Sequence, residues 1–197
     1  VFGWASRPST EYTAWNLWPF LRFENAPDDG RTFNKIWPLW MNYEDRKSKW
    51  TSLLWPIIWY RHSEVGGELR ENWWLVPFWH RNVVSQNEVV IAEEWQLWPL
   101  AHTISARDGA SSFRFPAPAL APLFDPSAMS RNWGPFYEVW AENSGPDRSW
   151  SDARALGNLY HAARAKGHDR WSIPVLGGRW REPDGTTHWS LLAGLLR

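Results

Sequence analysis

The chain contains no cysteine, which excludes disulfide bonds, thiolate catalysis and cysteine-ligated metal sites. Net charge is also absent: 21 basic residues balance 21 acidic residues, so no bulk electrostatic attraction draws the protein toward nucleic acid. Long hydrophobic runs are missing as well, since no apolar stretch approaches the roughly 18 residues that a transmembrane helix needs. The composition therefore indicates a globular chain of 197 residues, long enough to bury a sizeable core.

Tryptophan is abundant, with 19 residues, and much of it belongs to a recurring phrase of the form aliphatic-Trp-Pro-apolar-apolar. One copy carries Val76 in place of the tryptophan. The copies occupy residues 17–21, 36–40, 54–58, 75–79 and 97–101. Such spacing predicts a repeat architecture, which we interpret as one β-repeat domain over 1–197, with clear repeats in 11–104 and degenerate repeats in 110–197.

Turn residues lie about halfway between successive prolines, as in Asp28-Asp29-Gly30 and Asp108-Gly109. Each intervening segment has a proline near its middle, which would cost a helix about 3 kcal/mol or more. The segments are therefore expected to be strands joined by short antiparallel connections. The prediction is an all-β fold: an up-and-down antiparallel meander of about ten strands, forming a closed or nearly closed barrel or a strongly curved sheet. The prolines are expected at bulges in the middle of these strands.

Four tryptophans share the position before the proline of the phrase: Trp18, Trp37, Trp55 and Trp98. Burying a tryptophan ring contributes more free energy than one lost ladder hydrogen bond costs. We therefore expect these four rings to form a structural layer that is mostly buried on one side of the sheet. In that position Trp55→Ala would destabilise the fold by about 3–5 kcal/mol.

The predicted connections alternate in charge along the chain. Counted from the N-terminus, the first, third, fifth, seventh and ninth predicted turns contain glycine and acidic residues. The turns between them are mostly basic. Since successive turns of a meander lie at opposite ends of its strands, we expect one acidic rim and one basic rim. The basic rim is the candidate surface for docking a partner, and its candidate residues are Arg46, Lys47, Lys49, Arg164 and Lys166.

The sequence contains no recognisable catalytic or metal-binding pattern. Its six histidines fall on separate predicted strands or turns without metal-ligand spacing. Glu93 and Glu94 are adjacent and so point to opposite faces of a strand, which prevents them from acting as a carboxylate pair. We therefore predict no catalytic residues, no cofactor and no bound metal, and interpret the protein as one that is not an enzyme.

The repeated phrase, with charged Asp/Gly turns at steps near twenty, resembles uncharacterised tandem-repeat β-proteins of bacterial envelopes. This resemblance implies a place in the bacterial cell envelope, in the periplasm or the outer membrane, and transfers no catalytic residue. The leading hypothesis is a non-catalytic structural or assembly subunit that docks in or against a membrane or a membrane protein complex. A second copy of the chain is a further candidate partner, and nucleic acid is not expected. Two alternatives stay open: a small outer-membrane β-barrel with a narrow or plugged pore, and a glycan-binding module that uses an aromatic face.

Overall fold

The structure, a computed structural model, describes residues 2–119 and 124–192. Eighteen strands pair antiparallel as a meander in one sheet, and helix accounts for 11% of the residues. The prediction of an all-β antiparallel meander is confirmed. The sheet is not closed, so the prediction of a closed barrel is wrong.

The chain divides into two compact units, Val1–Ile91 and Ala92–Arg197. In the first unit, strands of five to eight residues follow one another, with 3₁₀ turns at Pro8–Thr10 and Pro27–Asp29. These strands are β1 (Phe2–Arg7), β2 (Tyr12–Leu17), β3 (Leu21–Ala26), β4 (Arg31–Ile36), β5 (Trp40–Glu44), β6 (Ser48–Leu53), β7 (Ile58–Val65), β8 (Glu68–Leu75) and β9 (Trp79–Gln86).

The division falls within β10 (Val89–Leu97), and the second unit continues the antiparallel order. It also contains one helix, α1 (Pro126–Tyr137), and a 3₁₀ turn at Pro146–Arg148. Its further strands are β11 (Ala101–Ala106), β12 (Ser111–Phe115), β13 (Trp140–Ser144), β14 (Trp150–Ala155), β15 (Tyr160–Ala165), β16 (His168–Ile173), β17 (Gly177–Arg181) and β18 (Thr187–Leu191).

The strand count differs from the predicted ten because the Trp-Pro phrases are turns and not strand centres. Phe20 N–H donates to Leu17 O at 2.9 Å, and Leu100 N–H donates to Leu97 O at 2.7 Å, so the chain reverses around the proline. The bond before the proline is cis in all five phrases and also before Pro116. Proline lacks an N–H and therefore removes no donor from the ladder when it stands in a turn. At the five phrases, each predicted strand of about fourteen residues is in fact a hairpin of two shorter strands, and the predicted mid-strand bulges are wrong.

Helix α1 lies where the sequence predicted further strands, one of them centred on Pro135. The proline falls in the last turn of the helix, where its missing N–H removes a single helical hydrogen bond. Buried polar contacts tie this segment to the sheet: Arg114 Nη1 of β12 donates to Ser130 Oγ at 2.8 Å, and Ser130 Oγ donates to the Glu138 carboxylate. Local polar contacts that proline spacing does not encode therefore stabilise the helix.

The core of the first unit is centred on a stack of rings. Trp74 of β8 is 7% exposed, and its ring centroid lies 4.9 Å from that of Trp59 and 3.8 Å from that of His80. Met41 and Ser52 are buried on the same face of the sheet, as the strand register shows. The best-buried rings of the first unit thus lie within strands β8 and β9, one residue in from the strand ends, and not before the prolines.

We predict that Trp74→Ala lowers the free energy of unfolding by about 3–5 kcal/mol, because it removes a buried ring with two stacking partners. The matched variant Trp55→Ala removes a ring that is already 43% exposed and is expected to cost about 1–2 kcal/mol. Urea unfolding followed by circular dichroism measures both values. Equal losses would contradict the burial pattern described here.

Candidate functional site

In the first unit, every second connection between strands is a turn built on a proline phrase. These turns join β2 to β3, β4 to β5, β6 to β7 and β8 to β9, and all of them lie at the same end of the strands. Neighbouring turns are hydrogen-bonded to each other: Trp37 N–H donates to Phe20 O at 2.7 Å, and Val76 N–H donates to Ile57 O at 2.8 Å. We call this continuous margin the apolar edge, residues 18–20, 37–39, 54–57 and 76–78.

The side chains of the apolar edge are large, hydrophobic and exposed to solvent. Trp18 is 70% exposed, and Leu39 and Phe78 are each 57% exposed. The further exposed members are Phe20, Trp37, Leu54, Trp55 and Ile57. Single exposed hydrophobic residues are ordinary, but a contiguous row of them indicates an interaction surface.

One face of the sheet, here called face A, continues the apolar surface away from the edge. Residues that pair across antiparallel strands share a face, so the register assigns them to rows that run parallel to the edge. The row beside the turns is entirely apolar and consists of Leu17, Leu21, Ile36, Trp40, Leu53, Ile58, Leu75 and Trp79.

Polarity on face A increases with distance from the apolar edge. The second row, about 7 Å further along the strands, mixes Trp15, Phe23, Tyr60 and Trp73 with Asn34, Asn42, Thr51 and Arg81. The third row is mostly polar and consists of Thr13, Asn25, Thr32, Glu44, Lys49, His62, Glu71 and Val83. The apolar band therefore comprises the turns and about two rows of face A.

On strands β3 and β4 the opposite face, face B, carries charge directly behind the apolar edge, whereas on β5–β9 the same row belongs to the buried core around Trp74. Glu24 is 6% exposed and accepts hydrogen bonds from Arg22 Nη2 at 2.5 Å and Arg31 Nη2 at 3.0 Å. The Arg22 guanidinium carbon also lies 5.0 Å from the centre of the Phe33 ring, a cation–π contact. Lys35 pairs directly with Arg22 across β3 and β4. The two faces of one sheet thus differ in character at the same height.

The other end of these strands carries acidic and basic turns together, so the predicted separation into an acidic and a basic rim is wrong. Arg46 Nη2 donates to the carbonyl oxygen of Asp28 at 2.7 Å, and Arg46 and Lys47 line a shallow pocket with Asp29 and Glu64. The prediction failed because it placed the proline phrases inside strands. Since these phrases are turns, the chain reverses about twice as often as predicted. Connections that were expected at opposite ends therefore lie at the same end.

Two of the three remaining residues of the predicted basic rim, Lys49 and Arg164, also lie beside acidic partners. Lys49 Nζ on β6 is 3.5 Å from Glu44 Oε2. In the second unit Arg164 Nε donates to Asp169 Oδ1 at 2.6 Å, and Lys166 occupies the tight turn between β15 and β16. Arg46, Lys47, Lys49 and Arg164 each lie among acidic groups, and the role of the predicted basic rim in docking stays a prediction.

The predicted tryptophan layer is not a buried core. Trp18, Trp37 and Trp55 are exposed by 70%, 39% and 43%, because the position before the proline lies at a turn and outside the packed sheet. Trp98 in the second unit is half-buried, and its indole N–H donates to Pro118 O at 2.9 Å. The four tryptophans share the position before the proline, as the sequence shows, but this position lies in a turn at the end of the strands and not in a core.

The second unit repeats the alternation of apolar and charged connections. The turns at residues 98–100, 156–159 and 174–176 lie between β10 and β11, β14 and β15, and β16 and β17. Their exposed hydrophobic side chains are Leu100, Leu156, Leu159, Val175 and Leu176. The intervening connections carry the charges, including Asp147, Lys166 and Asp184.

Titratable pairs on the strands offer little catalytic chemistry. His161 Nε2 lies 2.5 Å from Asp152 Oδ1, and His102 Nε2 lies 2.9 Å from Glu94 Oε1. In the described part of the chain no serine or threonine hydroxyl is hydrogen-bonded to either imidazole. Over residues 2–119 and 124–192, no group of three or more His, Asp or Glu side chains could hold a metal ion.

Fold and surface together define an all-β antiparallel meander that has an apolar edge and two unlike faces. The opposite end of the strands in the first unit, formed by the turns at residues 27–30, 45–47, 66–67 and 87–88, is here called the charged edge. No family model, curated protein or solved structure matches the chain. Within the described residues, no helix has the length and hydrophobicity to cross a membrane. The resemblance to bacterial envelope proteins stays a prediction.

A turn at the charged edge gives a test of the structure by acid titration. The Asp45 carboxylate accepts hydrogen bonds from the backbone N–H of Lys47 and the hydroxyl of Tyr43, and from the N–H and hydroxyl of Ser48. These hydrogen bonds lower the pKa of Asp45 to about 2. A lowered folded-state pKa stabilises the fold above the usual pKa near 4, and this contribution is lost as the pH falls toward 2.

We predict that Asp45→Asn flattens the acid dependence of stability between about pH 4 and 2, compared with the unmodified chain. Asp28→Asn, in the neighbouring turn, is the matched control and is expected to leave the dependence intact. Urea unfolding midpoints across this range measure both. An NMR titration midpoint of the Asp45 carboxyl near 4 would contradict the hydrogen-bonded turn.

Proposed function

We propose that the protein is a non-catalytic structural or assembly subunit of the bacterial cell envelope that docks against a lipid membrane through its apolar edge. The observation that carries the proposal is the continuous row of exposed hydrophobic turns at one end of the strands, joined to an apolar zone of face A. The resemblance stated from the sequence supports the envelope location. The charged edge would then face water.

The backbone of the apolar edge is suited to an environment without water. An amide group left unpaired in hydrocarbon costs several kcal/mol, which normally keeps turns out of lipid. Here each phrase contains a proline, which has no N–H, and neighbouring turns accept one another's donors. Of the nine N–H groups in the apolar edge, six have internal acceptors: those of Phe20, Trp37, Leu54, Trp55, Ile57 and Val76. A turn that only had to be soluble would not require this arrangement.

The size of the apolar band favours docking over spanning. The band measures roughly 10 Å along the strands, from the turns to the second row of face A, and interfacial elements bury about 5–10 Å. A strand that crosses a bilayer needs about 9–11 residues, whereas strands β1–β9 contain five to eight. The hydrophobic surface therefore matches the outer part of one leaflet.

The difference between the two faces sets the orientation of the first unit. Face A is apolar beside the edge, while face B at the same height carries Arg22 and Lys35. Burying both faces to equal depth would place these cations in hydrocarbon, which is costly. The sheet is therefore expected to enter obliquely, with face A toward the acyl chains and the Arg22 and Lys35 part of face B, on β3 and β4, toward the headgroups.

We predict that the double variant Leu39→Ser/Phe78→Ser weakens binding to phosphatidylcholine vesicles by about 30-fold. Each side chain is 57% exposed and would contribute about 1 kcal/mol on entering the bilayer. Vesicle flotation gives the partition coefficients. Uncharged vesicles isolate the hydrophobic contribution from attraction between charges.

The matched control is Val65→Ser/Val89→Ser, which removes two exposed apolar side chains at the charged end of the strands. This control is expected to bind like the unmodified chain, as is the charge reversal Arg46→Glu/Lys47→Glu. Equal losses in both serine pairs would show nonspecific adhesion. An unmodified chain that stays out of the vesicle fraction would overturn the docking proposal and favour a protein partner for the apolar edge.

A further inference from the structure

We propose that a pocket on face B, directly behind the apolar edge, binds the phosphate of an anionic phospholipid headgroup. This inference rests on the proposed docking function and adds a lipid preference to it. The pocket has a volume of about 450 Å³ and lies between the first four strands. Its lining includes Trp18 and Pro19 of the edge together with Asn16, Arg22 and Lys35.

The strand register places two cations directly opposite each other in this pocket. Gly3 pairs with Asn16, Asn16 with Arg22, and Arg22 with Lys35, so these residues form one row across β1–β4. Like charges in directly opposed positions destabilise a sheet unless an anion neutralises them. In the described part of the chain, Lys35 has no ion-pair partner that could serve this purpose.

The carboxylate that lines the pocket, that of Glu24, is already shared. Arg22 and Arg31 both donate to it, and within the pocket lining Arg22 and Lys35 stand against this one carboxylate, which leaves one positive charge. The phosphodiester of an anionic lipid such as phosphatidylglycerol supplies the missing negative charge, whereas the phosphate of phosphatidylcholine is already balanced by its own quaternary ammonium. The phosphodiester also offers oxygens that match the planar guanidinium fork and the lysine ammonium.

Arg22 is held in place before a ligand arrives. Its hydrogen bond to buried Glu24 and its cation–π contact with Phe33 fix the guanidinium, while most of its N–H groups stay available to a further acceptor. Fixing a side chain in advance lowers the entropy cost of binding. The Asn16 side-chain amide adds a neutral donor within the same row.

The open space of the pocket depends on Gly3. A Cβ atom added there would lie 3.1 Å from Asn16 Nδ2 and 3.2 Å from Asn16 Oδ1, so a larger side chain would displace the amide or fill the pocket. The position of the pocket identifies the source of the phosphate. A group bound between the exposed Trp18 ring and the cations of face B sits at headgroup level when the apolar edge is in the acyl region.

The experiment compares vesicles of phosphatidylcholine alone with vesicles that also contain phosphatidylglycerol. The unmodified chain is expected to favour the anionic vesicles. Lys35→Gln should lower binding to them by about five-fold while leaving binding to phosphatidylcholine unchanged. Lys49→Gln is the matched control, because it removes one positive charge in the third row of face A, and it is expected to retain the preference. Near-UV circular dichroism checks that each variant is folded.

Arg22→Lys separates a defined phosphate site from diffuse attraction between charges. The substitution keeps the charge and removes the planar fork, so a bound phosphodiester predicts a loss of the preference for anionic vesicles. An unchanged preference in both Arg22→Lys and Lys35→Gln would overturn the inference. Soluble glycerophosphate that perturbs the Lys35 and Asn16 NMR signals, without any effect of vesicle composition, would also overturn it in favour of a free phosphate ligand.

The two proposals fail in distinguishable ways. Binding to phosphatidylcholine vesicles without any phosphatidylglycerol preference would leave the docking function standing and remove the headgroup site. The absence of binding to either vesicle would remove the docking function itself, and the headgroup site would fall with it.

Discussion

Backbone hydrogen bonding at the chain reversals is the constraint on which the rest of this structure depends. An antiparallel meander must turn at both ends of every strand, and each turn leaves polar groups outside the ladder. At one end the chain solves this with charged turns, some of which contain glycine, that water can solvate. At the other end it uses proline, which has no N–H to satisfy, and bonds from one turn to the next, such as Trp37 N–H to Phe20 O. Apolar side chains can occupy that end because most of the N–H groups beneath them are paired.

The alternation of these two kinds of reversal separates the surface by polarity without any net charge. Acidic and basic turns gather at the same end, where ion pairs such as that of Lys49 with Glu44 offset their charges. The hydrophobic turns gather at the opposite end and continue into face A. A body with this distribution is suited to a boundary between water and a less polar phase. That fit, and not any cluster of reactive groups, is what supports a docking role.

Face B shows how a polar network and a hydrophobic edge can act together. Glu24 is buried and holds two arginines, which leaves Lys35 and part of Arg22 without a balancing carboxylate a few residues from exposed Trp18. A protein that only needed a stable sheet would gain more from an opposite charge facing Arg22. When the apolar edge lies in the acyl region of a membrane, Arg22 and Lys35 lie at the level of the headgroups. Lipid phosphates can then balance their positive charge. Hydrophobic anchoring and charge recognition thus belong to adjacent strips of one surface.

The all-β antiparallel meander follows from sequence alone, because prolines and glycine-containing turns spaced through a Trp-rich chain exclude long helices and favour short antiparallel connections. The position of each reversal does not follow from local composition. The phrase around Trp18-Pro19 is as hydrophobic as a strand centre, and turn rules that rely on polar residues cannot distinguish an apolar turn from a buried strand. Because the prediction places these turns at strand centres, the predicted strand count is roughly half of the observed one. For the same reason the prediction places Trp18, Trp37 and Trp55 in a core instead of at an edge. It also places the acidic and the basic turns at opposite ends, although they share one end. The strand register, which the sequence does not reveal, places Arg22 opposite Lys35 on face B and Leu21 opposite Ile36 on face A. A shift of the pairing by one residue would exchange the two faces.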